Sequence, residues 1–182
     1  MTTGTKSLLW GVHQIFWHPL TVWLAWRRLN KTSPSMKEVV CIIVHDWGYF
    51  GSEHMDDEIG ERHPELGARI AGWLFGDKYR DLCLYHSRHY ARNKGREPSK
   101  LCWADKYSIH FERWWTYLPR AWLSGELWEY RCSAAGAGWV AKTEPHKVWF
   151  AMMQKKLMCL GKAKRADVVE YINKQRNSDN VT

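Results

Sequence analysis

The sequence has few cysteines, and they are not arranged as zinc-binding or disulfide-forming pairs. Their number, five, is odd, and no Cys-x-x-Cys motif occurs. A thiolate zinc site and a disulfide scaffold are therefore not expected. Free, mostly buried thiols in a reducing cytoplasm are the simpler interpretation, so we expect a cytoplasmic protein. The five are Cys41, Cys83, Cys102, Cys132 and Cys159.

The sequence also lacks a clean apolar segment long enough to cross a membrane. The most apolar stretch, residues 8–26, is interrupted by two histidines, a glutamine and a proline. These residues would be costly in the middle of a lone membrane span. We therefore predict two buried helical pieces that meet at His18 and Pro19. No cleavage site of a secretory signal peptide is found, and we expect no membrane association.

The sequence contains no internal repeat, and its 182 residues fit one domain, residues 1–182. Its net charge of +8 should attract anions such as phosphates, nucleotides or nucleic acid. No recognised DNA- or RNA-binding motif occurs, so nucleic acid is a partner that the charge permits and no motif supports. The 13 tryptophans indicate aromatic packing. An interface of a homo-oligomer is the alternative use of the Trp-rich residues 10–26 and 114–128.

Local sequence signals predict an all-α fold. Ser35 and Glu38 match a capping box before the buried residues 39–44, which could form a strand by propensity but lack an alternating partner strand. Five prolines each precede a helix-like apolar pattern, as suits a first helical turn: Pro19, Pro64, Pro98, Pro119 and Pro145. We expect helices near 7–16, 19–30, 36–46, 64–75, 78–89, 98–116, 119–131, 145–160 and 165–176. Residues 132–143 are expected to form a flexible connection.

Four histidines and two aspartates lie at or beside the ends of predicted helices, within about 90 residues. Imidazole and carboxylate are ligands for zinc and first-row transition metals, and carboxylates also suit magnesium or manganese. Helix ends that converge are a common way for helical bundles to build metal sites. The six residues are His18, His45, Asp46, His63, His86 and Asp105. His89 is an alternative to His86, because residues three apart share a helix face. By default His13, His54, His110 and His146 are assigned to packing or to the surface.

Four segments around these residues carry a resemblance to a known family. They are His-Pro-Leu-Thr-Val-Trp-Leu-Ala-Trp-Arg-Arg-Leu (18–29), Val-His-Asp-Trp-Gly (44–48), His-Pro-Glu-Leu-Gly-Ala-Arg-Ile (63–70) and Trp-Ala-Asp-Lys-Tyr (103–107). Together they resemble the multi-histidine branch of the HD superfamily of metal-dependent phosphohydrolases, and are similar to the HD-type dinucleoside tetraphosphate hydrolases. The match covers a motif-bearing core of about 15–115. The helical extension at about 119–176 has no recognised motif.

The resemblance implies a compact HD-type helical bundle of about seven to nine helices with a metal centre. It implies that His18, His45, Asp46 and Asp105 hold a first metal ion. His63 and His86 would hold a second ion, with Asp46 bridging the two. One or two divalent ions are therefore expected per chain, and the ligand types leave Mn, Fe, Co, Ni, Zn and Mg open.

The pattern of metal ligands and the basic residues between Arg88 and Lys106 predict a phosphohydrolase. It would act on a nucleotide or a related phosphate ester or anhydride through metal-activated water. Asp46 would position the ions, and His63 or His86, if not a ligand, would protonate the leaving oxygen. Arg88 and Lys106 are the candidates for binding substrate phosphate. The alternatives are an HD-type mixed-valence di-iron oxygenase, which uses the same ligand set, and a non-catalytic nucleotide-binding HD module.

The loop 47–62 is rich in glycine and acidic residues, and loops of this length in compact domains are often functional. Glu53, Asp56 or Asp57 would orient water or contact a ribose hydroxyl; a plain solvated surface loop is the alternative. Trp47 and Tyr49 flank the predicted metal ligands and are candidates for stacking on a nucleobase, although packing in the core is the more common role of such rings.

Overall fold

The computed structural model describes residues 1–55 and 57–179, with side chains as far as residue 163. Its α-helices are α1 Thr3–Trp10, α2 Trp17–Asn30, α3 Met36–Val44, α4 Pro64–Phe75, α5 Asp77–Leu84, α6 Arg88–Asn93, α7 Lys100–Ser108, α8 Trp114–Ser124, α9 Glu126–Gly136 and α10 His146–Asp179. Short 3-10 helices span Trp47–Tyr49, Gly60–Arg62 and Ile109–Phe111. No strand occurs in these described ranges, which confirms the predicted all-α fold.

Helix α3 begins where the sequence predicts. The Ser35 side chain accepts a hydrogen bond from the Glu38 amide, and the Glu38 carboxylate accepts one from the Ser35 amide at 2.7 Å. This capping box satisfies amides that have no partner in the first helical turn. Residues 39–44, five of which are β-branched, are therefore helical rather than extended. They bury Cys41, Ile42 and Val44 against the neighbouring helices.

Three predicted helices are broken. The segment 119–131 divides between α8 and α9 at Gly125, whose φ is +94°. The other two breaks have a hydrogen-bonded cause. The segment 78–89 divides between α5 and α6 because Ser99 bonds to the carbonyls of Tyr85 and Leu82, at 2.9 and 2.8 Å, and so ends α5. The Ser87 side chain then caps α6. The segment 98–116 ends at Phe111, because Gln154 donates to the carbonyls of Ile109 and Glu112.

The remaining differences concern helix ends. Helix α1 stops at Trp10 and α2 starts at Trp17, so the predicted junction at His18 and Pro19 instead falls within the first turn of α2. Pro119 does not start a helix but lies inside α8, where it forfeits one backbone bond. The two helices predicted at 145–160 and 165–176 are one, α10. Gly161 does not interrupt it; its missing side chain lets α10 approach α7, since a Cβ there would lie 3.2 Å from the Trp103 carbonyl oxygen.

Three apolar clusters are buried in the described part of the chain. The smallest consists of Leu8, Tyr49 and Met55, and the other two are larger. The largest is built by α2, α3, α4, α5 and α7, and includes Trp26, Ile42 and Tyr107. The second is built mainly by α8, α9 and α10, around Tyr117 and Trp149. The C-terminal extension therefore contributes most of a second buried cluster, which lies beside the motif-bearing core.

Within the described residues, no helix combines the length and the apolar character that crossing a bilayer requires. All five cysteines are free, and Cys41, Cys83 and Cys102 are buried.

Candidate metal centre

The His45–Asp46 pair lies where α3 ends, and this ending lets both side chains reach one point. Adjacent residues on a regular helix point about 100° apart. His45 still has helical dihedral angles, but Asp46 has φ −99° and ψ 0° and leaves the helix. Both are buried. The carboxylate oxygen Asp46 Oδ2 lies 3.0 Å from His45 Nε2.

Two glycines allow the segment that carries His63 to approach the end of α3. A Cβ on Gly48 would lie 2.0 Å from the His63 carbonyl oxygen, and one on Gly67 would lie 2.5 Å from that of Val44. No side chain fits at either distance. Glycine at these positions thus brings the start of α4, and with it His63, next to the His45–Asp46 pair.

The first donor group consists of His18, His45, Asp105 and the Oδ2 oxygen of Asp46. His18 Nε2 lies 3.2 Å from Asp46 Oδ2 and 3.2 Å from Asp105 Oδ1. Helix α2 supplies His18 from its first turn, and α7 supplies Asp105, because these two helices pack together. Three segments far apart in sequence therefore meet at this group.

The second donor group consists of His63, His86 and the Oδ1 oxygen of Asp46. His86 Nε2 lies 3.1 Å from His63 Nε2 and 3.2 Å from Asp46 Oδ1. His63 Nε2 is 3.8 Å from the same oxygen. The break between α5 and α6 places His86 here. Asp46 thus presents one carboxylate oxygen to each group.

The orientation of three histidines is fixed by backbone carbonyls. The Nδ1 atoms of His45, His63 and His86 lie 2.8, 2.7 and 2.6 Å from the carbonyl oxygens of Ile42, Gly60 and Cys83. A ring nitrogen that faces a carbonyl oxygen carries the hydrogen, and in a neutral imidazole Nε2 then bears a lone pair. The Nε2 atoms of His63 and His86 therefore face each other as two acceptors, an arrangement that a shared cation would stabilise.

The donor atoms have the spacing of ligands around an ion. Nitrogen and oxygen ligands about 2.1 Å from a metal lie about 3.0 Å apart at right angles and about 3.4 Å apart in a tetrahedron. The contacts given above run from 3.0 to 3.8 Å. Moreover, His18 Nε2, His45 Nε2 and Asp46 Oδ2 are buried and make no aligned hydrogen bond within the described residues, despite their short contacts. The residues present therefore fit a metal ion in each group.

Two buried carboxylates, Asp46 and Asp105, determine the protonation state of His18 in the first donor group. Burial alone would raise their pKa values, but His45, His13 and His18 hold the pKa of Asp46 well below its usual range, and Lys106 and His18 do so for Asp105. Burial opposes protonation of His18, yet the two carboxylates raise its pKa to about 10. In the metal-free protein a proton on His18 thus occupies the place of a cation.

The other histidines favour the neutral form that a ligand needs. Burial lowers the pKa of His45, against the attraction of Asp46. Burial and the neighbouring His86 hold the pKa of His63 well below its usual range. Both imidazoles are therefore neutral at pH 7, with Nε2 free to bind an ion.

Both donor groups open into a cavity of about 590 Å³. The two predicted phosphate-binding residues lie in its wall. Arg88 is half-buried at the start of α6, with its guanidinium carbon 5.7 Å from the centre of the Trp139 ring. Lys106 Nζ donates to Asp105 Oδ2 at 2.8 Å. Arg92 also lines the cavity.

Two other candidates from the sequence, His89 and Tyr49, line the same cavity without joining the donor groups. His89 is exposed, 4.0 Å from Glu61, and accepts a contact from Asn93, so His86 is the member of the helical pair that joins the donor groups. Tyr49 is buried and stacks on the His63 ring, with centroids 4.0 Å apart. Trp47 is partly exposed and is not part of the cavity wall.

Among its described residues, the loop 47–62 contributes one acidic residue to the cavity, and it is not one of the three singled out from the sequence. Glu61 lines the wall, and its carboxylate lies 3.3 Å from Ser87 Oγ. Asp57 caps the Gly60 amide at 2.6 Å, and Glu53 is exposed. Asp56 lies outside the described residues.

Sequence reasoning also missed three residues beside the site. His13, assigned to packing or the surface, lines the cavity with its ring centroid 5.2 Å from that of His18. Glu126 is fully buried and contacts His13. Trp139 lines the cavity from the segment after α9. No local pattern marks these residues, because their roles depend on how the C-terminal helices pack.

Comparisons with protein-family models, with curated proteins and with solved structures give no match to this chain.

Proposed function

We propose that this protein is an HD-type, metal-dependent phosphohydrolase that acts on a nucleotide or a related phosphate ester or anhydride. The observation that carries the proposal is the convergence of six histidine and aspartate side chains from separate helices, with Asp46 presenting one oxygen to each donor group. Two buried carboxylates are costly unless a cation compensates their negative charge, and histidines with a purely structural role rarely share a pocket with them.

The residues would divide the work as follows. His18, His45, Asp46 and Asp105 would hold one ion, and His63, His86 and Asp46 the other. Bound divalent ions lower the pKa of water to about 7 and stabilise negative charge on a phosphoryl group. Because His63 and His86 lie among the donor atoms, we assign them to ligation rather than to protonation of the leaving oxygen.

Three cations of the cavity lining support an anionic substrate. Arg88, Arg92 and Lys106 line the same cavity as the donor groups. Arginine binds phosphate oxygens in pairs, whereas lysine acts as a compact charge. Lys106 is already bonded to Asp105, so Arg88 is better placed than Lys106 to bind a phosphate in the cavity.

The aromatic and apolar part of the cavity lining supports a substrate with a flat organic group. It is formed by Tyr117 of α8 and by four residues of the C-terminal extension, namely Trp139, Trp149, Met153 and Leu157. Trp139 is flanked by two cations, with Lys156 Nζ 5.1 Å and the Arg88 guanidinium 5.7 Å from the ring centre. An aromatic ring beside phosphate-binding cations suits a nucleotide, because bases stack on aromatic side chains.

The test is a screen of purified protein loaded with Mn²⁺, Co²⁺, Ni²⁺, Fe²⁺, Zn²⁺ or Mg²⁺ against mononucleotides, cyclic dinucleotides and dinucleoside tetraphosphates. We expect hydrolysis that a chelator abolishes and that the Asp46→Asn variant lacks. The Asp77→Asn variant, at an exposed carboxylate, is the matched control and should retain activity.

Two results would contradict the proposal. One is the absence of hydrolysis with every metal and substrate, although the protein is folded and binds ions. The other is oxygen consumption by the iron-loaded protein, with a mixed-valence signal in electron paramagnetic resonance and no phosphate chemistry, which would favour the di-iron oxygenase.

A further inference from the structure

A histidine–carboxylate contact outside both donor groups lies beside the first of them, and it involves helix α9. His13 Nδ1 is 2.9 Å from Glu126 Oε1. The two residues differ in access, because His13 is part of the cavity wall, whereas Glu126 is completely buried behind it. Glu126 belongs to the C-terminal extension, outside the region that carries the family resemblance. The contact therefore ties that extension to the candidate site.

The Glu126 carboxylate is held in one position by five contacts. Besides His13, it accepts hydrogen bonds from the Ser7 hydroxyl at 2.7 Å, the Val12 amide at 2.9 Å, the Ser124 hydroxyl at 2.5 Å and the Tyr130 hydroxyl at 2.8 Å. Burial raises the pKa of a carboxyl group, but the contact with His13 first, followed by the bonds from Ser124 and Val12, holds the pKa of Glu126 below its usual value. The carboxylate is thus an ionised and rigid partner for the imidazole.

The chain between α1 and α2 is shaped around this carboxylate. A Cβ on Gly11 would lie 2.4 Å from Glu126 Oε2, so only glycine permits the backbone to pass there. This close passage places His13 between two rings of the site, with centroid distances of 5.2 Å to His18 and 5.0 Å to Tyr49. His13 is therefore fixed by its backbone, by its neighbours and by its Nδ1 partner.

The partner on Nδ1 determines what His13 presents to the cavity. An Nδ1 atom next to an ionised carboxylate carries the hydrogen, and Nε2, on the far edge of the ring from Glu126, then bears a lone pair. A buried carboxylate that orients a cavity-lining imidazole is costly for a purely structural purpose, since an apolar pair of similar size would fill the same space. The arrangement suits a hydrogen-bond acceptor of fixed direction.

We propose that His13 is a further substrate-site residue, whose Nε2 accepts a hydrogen bond from the water that attacks phosphorus, and that Glu126 is the residue that positions it. This inference rests on the proposed phosphohydrolase function. Accepting one hydrogen of the water directs its lone pair toward the phosphorus atom. Misdirection of a reacting group costs on the order of 100-fold in rate.

The test is the His13→Asn variant. The asparagine amide keeps a donor near the position of Nδ1 and can still bond to Glu126, but it has no atom at the position of Nε2. We expect kcat to fall about 100-fold with KM changed less than about threefold. The bound-metal content and the thermal unfolding midpoint should equal those of the wild type.

The chain offers a matched control for this substitution. His54 Nδ1 lies 3.2 Å from Glu129 Oε1, but the His54 side chain is 62% exposed and outside the cavity wall. The His54→Asn variant makes the same chemical change in a second histidine–glutamate pair. It should leave kcat, KM and metal content unchanged.

The outcomes separate this inference from the function on which it rests. An active wild type with a fully active His13→Asn variant would overturn the role of His13 and leave the phosphohydrolase intact. A wild type without hydrolysis under any metal would overturn both. Independently of activity and of any variant, long-range ¹H–¹⁵N spectra of the Zn²⁺- or Mg²⁺-loaded wild type should show the hydrogen of His13 on Nδ1. A hydrogen on Nε2 instead would overturn the inference.

Discussion

The two donor groups share Asp46 but differ in charge and surroundings. The first group adds a second carboxylate, Asp105, and has the cation Lys106 beside it. The second adds only the imidazoles of His63 and His86. Carboxylates supply most of the attraction for a hard divalent ion, whereas imidazole favours transition metals. We therefore expect a tight first site with broad metal tolerance and a weaker, more selective second site.

The largest effect is expected from removing the Asp46 carboxylate, which the two donor groups share. The Asp46→Asn substitution keeps the size of the side chain but removes the negative charge that each ion would contact. We expect loss of both ions and a fall in hydrolysis of about 1,000-fold or more, because metal activation of water is lost. Metal analysis of the purified variant checks this, with Asp77→Asn as the control. Two ions per chain in the Asp46→Asn variant would show that Asp46 does not bridge.

The next test substitutes one histidine in each donor group, so that the two metal sites can be distinguished. His45→Ala should weaken the first site, and His63→Ala the second, each by about 100-fold or more, since even supporting contacts to ligands are worth 10–100-fold. Isothermal titration with Mn²⁺ should show two binding steps in the wild type and one in each variant.

His89→Ala is the control for this pair, because His89 is exposed and outside the donor groups. A variant of His45 and a variant of His63 that lose the same binding step would contradict the division into two sites.

The pH dependence of metal binding distinguishes the groups further. In the metal-free protein the pKa of His18 is raised to about 10, so an ion entering the first site must displace a proton. Affinity there should rise about tenfold per pH unit between pH 7 and about 10. The pKa of His63 is lowered, so the second site should show no such rise above pH 7. Titrations at pH 7, 8 and 9 measure both slopes.

The same shift has a consequence for stability. A raised histidine pKa stabilises the folded state fully below its ordinary value of 6.5, and this contribution is lost as the pH rises toward about 10. The metal-free protein should therefore lose thermal stability over that window more than the metal-loaded protein, in which the ion replaces the proton. Equal losses in the two forms would contradict the shift.

The smallest expected effect concerns Lys106. Its ammonium group bonds to Asp105 and repels an incoming cation. Lys106→Met should strengthen metal binding at the first site by on the order of tenfold and change the second site less, because Coulomb repulsion falls with distance. Weaker binding at the first site would show that Lys106 serves mainly to keep Asp105 in position.

Much of the candidate site could be predicted because its parts lie in local patterns. The His45–Asp46 pair follows a capping box and a buried helical run, and His63 precedes a proline at a helix start. The choice between His86 and His89 could not be made from spacing alone. It depends on the helix break, and that break depends on Ser99, whose contacts with Tyr85 and Leu82 are tertiary.

The C-terminal extension shows where sequence reasoning stops. Nothing distinguishes Glu126 from a surface glutamate in the sequence, although it is completely buried under five contacts. Trp139 follows a Gly- and Ala-rich stretch predicted to be a flexible connection, yet α9 extends to Gly136 and places the ring in the cavity wall. Burial of this kind is decided by packing between distant helices.

The most direct test of the metal centre is anomalous diffraction from crystals of the Mn²⁺-loaded protein. We expect two peaks about 3.5–4 Å apart. One should contact His18, His45, Asp46 and Asp105, and the other His63, His86 and the second oxygen of Asp46. A map with no peak among these residues, in protein that retains activity, would contradict the account.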